Sequence, residues 1–182
     1  MFGLFKRQMA PEGPVEFKAE MPIERPADHI YALLDFADER NAKRAEGNRV
    51  LPGDGAGSGG SGRWRLLMTG MDSHEFLLDL IEAERPLRYE YECRAVPTLG
   101  RLVSAIEAWT IEPLGEQGCN VRLVVTAEFV TGLTERQFAK EVSMMSAGCH
   151  NALARLKIHA EHGPNAARDA VLMTAEHTRV GS

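Results

Sequence analysis

The order of periodicities along this chain restricts its fold more than any other feature. A segment of period two comes first, from Val15 to Ile23, where Val15, Phe17, Ala19, Met21 and Ile23 alternate with polar neighbours. A short helix follows, opening at Pro26, whose missing N–H suits a first helical turn. Ile30, Leu33 and Leu34 give that helix an inward stripe. A glycine-rich stretch and a series of alternating strands come next. Past Gly132 the period changes to 3.6, and Phe138, Val142, Met145, Cys149, Leu153, Leu156 and Ala160 mark one face of a long helix from Thr134 to about Glu161. A sheet that alternates throughout has one apolar face, and the closing helix is the element long enough to cover it. A curved sheet around a single helix leaves a space between them, where a function would reside.

The intervening strands are expected at Arg49 to Pro52, Arg63 to Met71, His74 to Glu82, Leu87 to Ala95, Leu102 to Glu112 and Asn120 to Val130. Asp35 to Gly47 is polar and reads as a second short, exposed helix. Gly53 to Gly62 has too few side chains to pack and reads as a loop. It contains G-x-G-x-x-G spacings, but a dinucleotide site needs a helix after the glycines. The residues that follow, Arg63 to Met68, alternate like a strand. Thr134 with Gln137 forms a capping-box pattern, and Gly163-Pro164 ends the helix.

With 182 residues, one domain is expected: a flexible segment over 1–14, the folded domain over 15–162 and a flexible tail over 163–182, with a turn or two around Ala170 to Met173. Hydrophobic residues at 44% and charged residues at 26% fit a globular chain. The formal net charge of −5 argues against nucleic acid as a partner, because phosphates call for a basic face. No apolar run approaches the ~18 residues of a membrane span, so stable membrane insertion is not expected. Phe2, Leu4 and Phe5 beside Lys6 and Arg7 could touch a membrane surface, but a frayed terminus is the favoured reading, since chain ends are usually loose. Cys93, Cys119 and Cys149 lie far apart and read as reduced thiols of a cytoplasmic protein.

Candidate chemistry is sparse. His159 and His162 are three apart on the helix, but no third ligand is placed, and no metal or cofactor is expected. Asp72, Ser73 and His74 are crowded into one turn, whereas a hydrolytic triad converges from separate positions. Cys93 and Cys149 fall on apolar faces. Trp64, Tyr89 and Tyr91 combine an apolar body with a polar handle, which suits a pocket for a partly polar hydrophobic ligand. With Met68, Leu123, Val125, Phe138, Val142 and Met145 they are the candidate cavity lining; the same residues could equally form a packed core. Arg65, Asp79, Arg101 and Glu107 are the charges placed to reach a rim, and Tyr89 with Arg101 are the catalytic candidates, as acid or oxyanion donor.

Several stretches resemble one family: Ile23 to Phe36 (IERPADHIYALLDF), Gly60 to Leu66 (GSGRWRL), Glu84 to Tyr89 (ERPLRY), Ala108 to Gly115 (AWTIEPLG) and Leu153 to Glu161 (LARLKIHAE). With the element order, they resemble the START-related helix-grip or SRPBCC superfamily, which includes polyketide cyclases/dehydrases, birch-pollen-allergen-like proteins and coenzyme Q-binding proteins. The resemblance implies an α+β helix-grip fold, a curved antiparallel sheet wrapped around a long C-terminal helix. It also implies binding or carriage of a hydrophobic small molecule such as a lipid, quinone or polyketide. An enzyme of the polyketide cyclase/dehydrase kind stands second and a protein-interaction module third. A carrier's cavity should lack buried charge, whereas an enzyme's should hold two ionisable side chains within hydrogen-bond reach. The Asp38-to-Glu46 segment departs from the aromatic-containing stretch of many members.

Overall fold

A computed structural model describes residues 8–55 and 62–170. Strand β1 (Val15–Ile23) leads through Pro26 into α1 (Ala27–Leu34), α2 (Ala42–Ala45) and β2 (Arg49–Pro52). Strands β3 (Gly62–Leu67), β4 (Glu75–Glu84), β5 (Arg88–Val96), β6 (Leu102–Pro113) and β7 (Cys119–Phe129) follow. Helices α3 (Glu135–His162) and α4 (Pro164–Asp169) end the described chain. All strands pair antiparallel in one seven-stranded sheet of order β1-β7-β6-β5-β4-β3-β2. This is the α+β helix-grip arrangement.

Local chemistry sets the boundaries. The Thr134 hydroxyl accepts from Gln137 N, and the Gln137 side chain accepts from Thr134 N, so two orphan donors at the start of α3 are satisfied reciprocally. Gly163 closes α3 at φ 91°, a left-handed conformation that favours glycine. β3 stops at Leu67, short of the expected Met71, because Thr69 turns away to bond Asn48 Oδ1 and the Gly47 carbonyl. Beyond α3, α4 folds back with Ala167 fully buried. Residues 1–7, the stretch 56–61 of the glycine-rich loop and the stretch 171–182 lie outside the described residues.

α3 packs mainly on β1 and β7, while α1 rests on β5 and β6. The stripe Cys149, Leu153, Leu156 and Ala160 meets the inward residues of β7, where Val121, Leu123, Val125 and Ala127 are 4% exposed or less. α3 therefore lies toward one edge of the sheet, and the middle of the sheet is roofed by the shorter helices. Among the described residues, no helix is long and apolar enough to cross a membrane.

Candidate functional site

The off-centre helix leaves a cavity of about 250 Å³, partly open to solvent, over the middle of the sheet. Its floor is β5 and β6. Glu107 and Trp109 are two residues apart on β6 and so share a face, and Tyr91 is the cross-strand partner of Glu107. One wall is a single face of α3, where Gly148, Asn151, Ala152, Arg155 and Leu156 recur at helical spacing. The other wall comes from Leu33 and Leu34 of α1, then Phe36, and then the α2 region with Asn41, Ala42, Lys43 and Glu46.

The α1–α2 connection is held rigidly. Asn41, 1% exposed, donates from Nδ2 to the Leu33 and Leu34 carbonyls at 3.2 and 3.0 Å, satisfying acceptors left open at the end of α1. Its Oδ1 accepts from Lys43 N at 3.1 Å and caps α2. Arg44 donates to the Phe36 carbonyl, and Phe36 N donates to Tyr89 Oη at 3.0 Å. The segment expected to be an exposed helix is thus partly buried, because its one asparagine stitches two helices together.

The polar floor is concentrated at one point. Tyr91 Oη donates to Glu107 Oε2 at 2.5 Å. Burial pushes the Tyr91 hydroxyl well above its ordinary pKa, and the adjacent Glu107 charge adds to this, so the proton stays on the phenol. Burial and then the Glu107 charge also raise the Cys93 and Cys149 thiols, to about 12 and about 11. Trp109 Nε1 is buried beside the Tyr91 hydroxyl and offsets part of that rise. On the α2 side, Glu46 Oε1 lies 3.7 Å from His159 Nδ1 and its other oxygen 3.8 Å from Arg155. Burial works against the Glu46 charge, but His159, Lys43 and Arg155 outweigh it and hold the carboxyl below its usual value.

Of the residues singled out from the sequence, Tyr91 lines this cavity. Leu123 and Val125 are sealed beneath α3. Tyr89 is 1% exposed, with its ring against Tyr31 and Phe36 and its hydroxyl on Phe36 N. Trp64 packs near Phe36, with ring centroids 6.3 Å apart. Phe138 meets Phe129 at 6.1 Å near the start of α3, and Val142 and Met145 pack against the core from the same helix. Met68 follows the end of β3 and borders a separate shallow groove. Arg101 is drawn to the buried Glu141 carboxylate at 2.9 Å, away from the cavity lining. Asp79 binds Arg63 and Arg94, and Arg65 binds Glu75, all between neighbouring strands. Glu107 is the rim candidate that reaches the interior. Trp109 was visible only as part of a family-like stretch, yet its place two residues after Glu107 on one strand face is the signal that pairs them.

Among the described residues, no group of three or more His, Cys, Asp or Glu is placed to hold a metal ion. The cavity does put two ionisable side chains within hydrogen-bond reach, with a carboxylate at the floor.

Known structures share this architecture. Ara h 8.0201 superposes with a TM-score of 0.61 at 15% identity, over 81% of this chain and 98% of that one. TTHA0849 from Thermus thermophilus gives 0.55 at 20% identity, over 80% and 97%. A protein from Arthrobacter aurescens gives 0.60 at 16% identity, over 87% and 93%. At such identities the likeness is one of fold. No curated protein matches the chain in sequence. Residues 14–161 match the family described as "Polyketide cyclase / dehydrase and lipid transport". The chain belongs to that family, within the SRPBCC helix-grip superfamily.

Proposed function

We propose that this protein binds a small, largely apolar molecule bearing polar oxygen, in the cavity between the α1–α2 arm, the β5–β6 floor and α3. The observation that carries this reading is the cavity itself: about 250 Å³, with Leu33, Leu34, Phe36, Ala152 and Leu156 in its walls and Tyr91 and Glu107 on its floor. Apolar walls supply affinity, and a few convergent polar groups set orientation. The volume lies below the ~300–1,000 Å³ usual for drug-sized ligands, which favours one or two rings over a long acyl chain. Membership in a family of cyclases, dehydrases and lipid transporters supports a hydrophobic ligand.

The test is native mass spectrometry on protein isolated from its own host, beside the variants Ala152→Phe and Gly148→Leu. Ala152 faces the cavity, and a Cβ at Gly148 would meet nothing within 4 Å. A small molecule carried by the wild type and lost from both variants is the expected result. Ligand-free wild type would overturn the reading.

The Tyr91–Glu107 bond favours a second reading, an acid–base enzyme of the cyclase/dehydrase kind. Glu107 would remove a proton from the bound molecule and return it to the departing hydroxyl, which leaves as water. In this reading catalysis falls to Glu107 rather than to Tyr89 or Arg101. Comparing the species bound to wild type and Glu107→Gln separates the two: a carrier holds the same mass in both, whereas a dehydrating enzyme accumulates a species heavier by one water in the variant.

A further inference from the structure

The α2 side of the cavity holds a positive charge that its own neighbours leave unmatched. Lys43 of α2 and Arg155 of α3 both line the cavity, and Glu46 is the acidic residue lining the same side. A single carboxylate cannot neutralise two permanent cations, and Glu46 also lies 3.7 Å from His159 Nδ1. Arg155 meets Glu46 at 3.8 Å, beyond hydrogen-bond length. Among the described residues, the Lys43 ammonium forms no hydrogen bond or ion pair. Its charge nonetheless acts inward. It helps to hold the Glu46 carboxyl below its usual value, and it opposes the rise of the Cys93 thiol, two residues past Tyr91 on β5. A charge felt both on α2 and on the sheet stands over the cavity rather than out in solvent. Its backbone is fixed, because Lys43 N donates to Asn41 Oδ1 and the Asn41 side chain is tied to the end of α1. A cation held beside apolar walls, where the effective dielectric is below that of water, gains from an anion brought into contact. Glu107 keeps such an anion off the floor, since like charges repel.

We infer that the occupant carries one carboxylate, which docks against Lys43 and Arg155 on the α2 side while its ring system lies along Leu33, Leu34 and Phe36. Lys43 is the specificity-determining residue and supplies a point charge, and Arg155 adds donors of fixed direction. The acid group therefore sits at the end of the molecule remote from Glu107. A neutral compound of the same shape meets the same walls but leaves the ammonium unmatched. This assignment rests on the cavity reading above and adds to it the charge and orientation of the occupant.

The experiment uses the whole protein and two probes of one shape, 5,6,7,8-tetrahydro-2-naphthoic acid and its neutral primary amide, measured by calorimetry at pH 7. The acid is expected to bind about tenfold tighter, the effect of one charge-assisted hydrogen bond. Added salt should erode that advantage while the amide keeps its affinity. Lys43→Met, which keeps the length of the side chain and removes its charge, should bring the acid down to the amide, whereas Lys43→Arg should keep the acid ahead. Gly148→Leu, which fills the cavity from the α3 wall, should remove binding of both. If the methionine variant fails to fold, the wild-type ratio and its salt dependence decide alone. Equal affinities for acid and amide, or a preference for the acid undiminished in Lys43→Met, would overturn the charge assignment while leaving the cavity reading intact. A preference that persists in Gly148→Leu would put the anion outside the cavity and overturn it as well. Binding of neither probe overturns this inference, and the native mass spectrum then shows separately whether the cavity reading falls with it.

Discussion

Tyr89 and Tyr91 are neighbours on one strand face, yet the structure gives them different work, and removing one oxygen from each separates the roles. In Tyr89→Phe the ring stays in place, with Tyr31, Phe36 and Tyr91 at centroid distances of 5.7, 5.5 and 6.1 Å. What is lost is the acceptor for Phe36 N, a buried amide just past the end of α1. Leaving that donor unpaired costs about 1–3 kcal/mol. For a chain of this length each kcal/mol lowers the melting temperature by ~2–4 °C, so the expected loss is about 2–12 °C. Urea unfolding and calorimetry measure it. Ligand binding should survive, because Tyr89 does not line the cavity. Tyr91→Phe should differ in changing affinity clearly, since it removes the O–H that Glu107 accepts on the cavity floor. A Tyr89→Phe protein as stable as wild type, but unable to bind, would refute this division and return Tyr89 to the site.

Thr134→Ala removes the cap of α3 and should cost about 0.5–2 kcal/mol in thermal unfolding, with Thr134→Ser close to wild type; an unchanged midpoint would mean the reciprocal bonds do not form in solution. Cys93 and Cys149, with thiols raised to about 12 and about 11, should be thiolate at a level on the order of 10⁻³ or less at pH 8. Native protein should therefore react with Ellman's reagent far more slowly at these positions than urea-unfolded protein, and rapid native labelling of either would contradict their burial. Glu46 has a folded pKa below its unfolded value, so its contribution to stability is present above the ordinary carboxylate range and disappears as pH falls through the folded value. The stability gap between wild type and Glu46→Gln should be full at pH 7 and close in acid; a gap independent of pH would show that His159, Lys43 and Arg155 do not act on this carboxyl.

Alternation and helical spacing made the elements legible: β1 and β2 fall where the pattern places them, and β5, β6, β7 and α3 agree to within one residue at most ends. The capping pair at Thr134 and the stop at Gly163 were readable for the same reason, since both are local chemistry. The cavity was less legible. Alternation identifies which side chains turn inward, and Trp64, Tyr89, Tyr91, Leu123 and Val125 do turn inward. It does not say which inward residues meet a neighbour and which meet empty space. That depends on where α3 comes to rest across the sheet, and its displacement toward β1 and β7 buries Leu123 and Val125 while leaving a cavity beside Tyr91 and Glu107. Asn41 illustrates the same limit. It sits in a polar run typical of a solvated surface, and only the three-dimensional meeting of α1 with α2 makes it one of the most buried residues in the protein.

The pairing of β1 with β7 has a consequence for how the chain reaches this form. Val15 lies opposite Ala127 and Ile23 opposite Cys119, so among the described residues the first strand of this domain has its sheet partner near the domain's end. Until β7 and then α3 have emerged, β1 and its apolar residues must wait without a native neighbour. Such distant closure slows folding and leaves a sticky edge exposed during synthesis. Nascent chains halted before Phe129 should therefore depend on chaperones, whereas those extending past His162 should complete the sheet and release them.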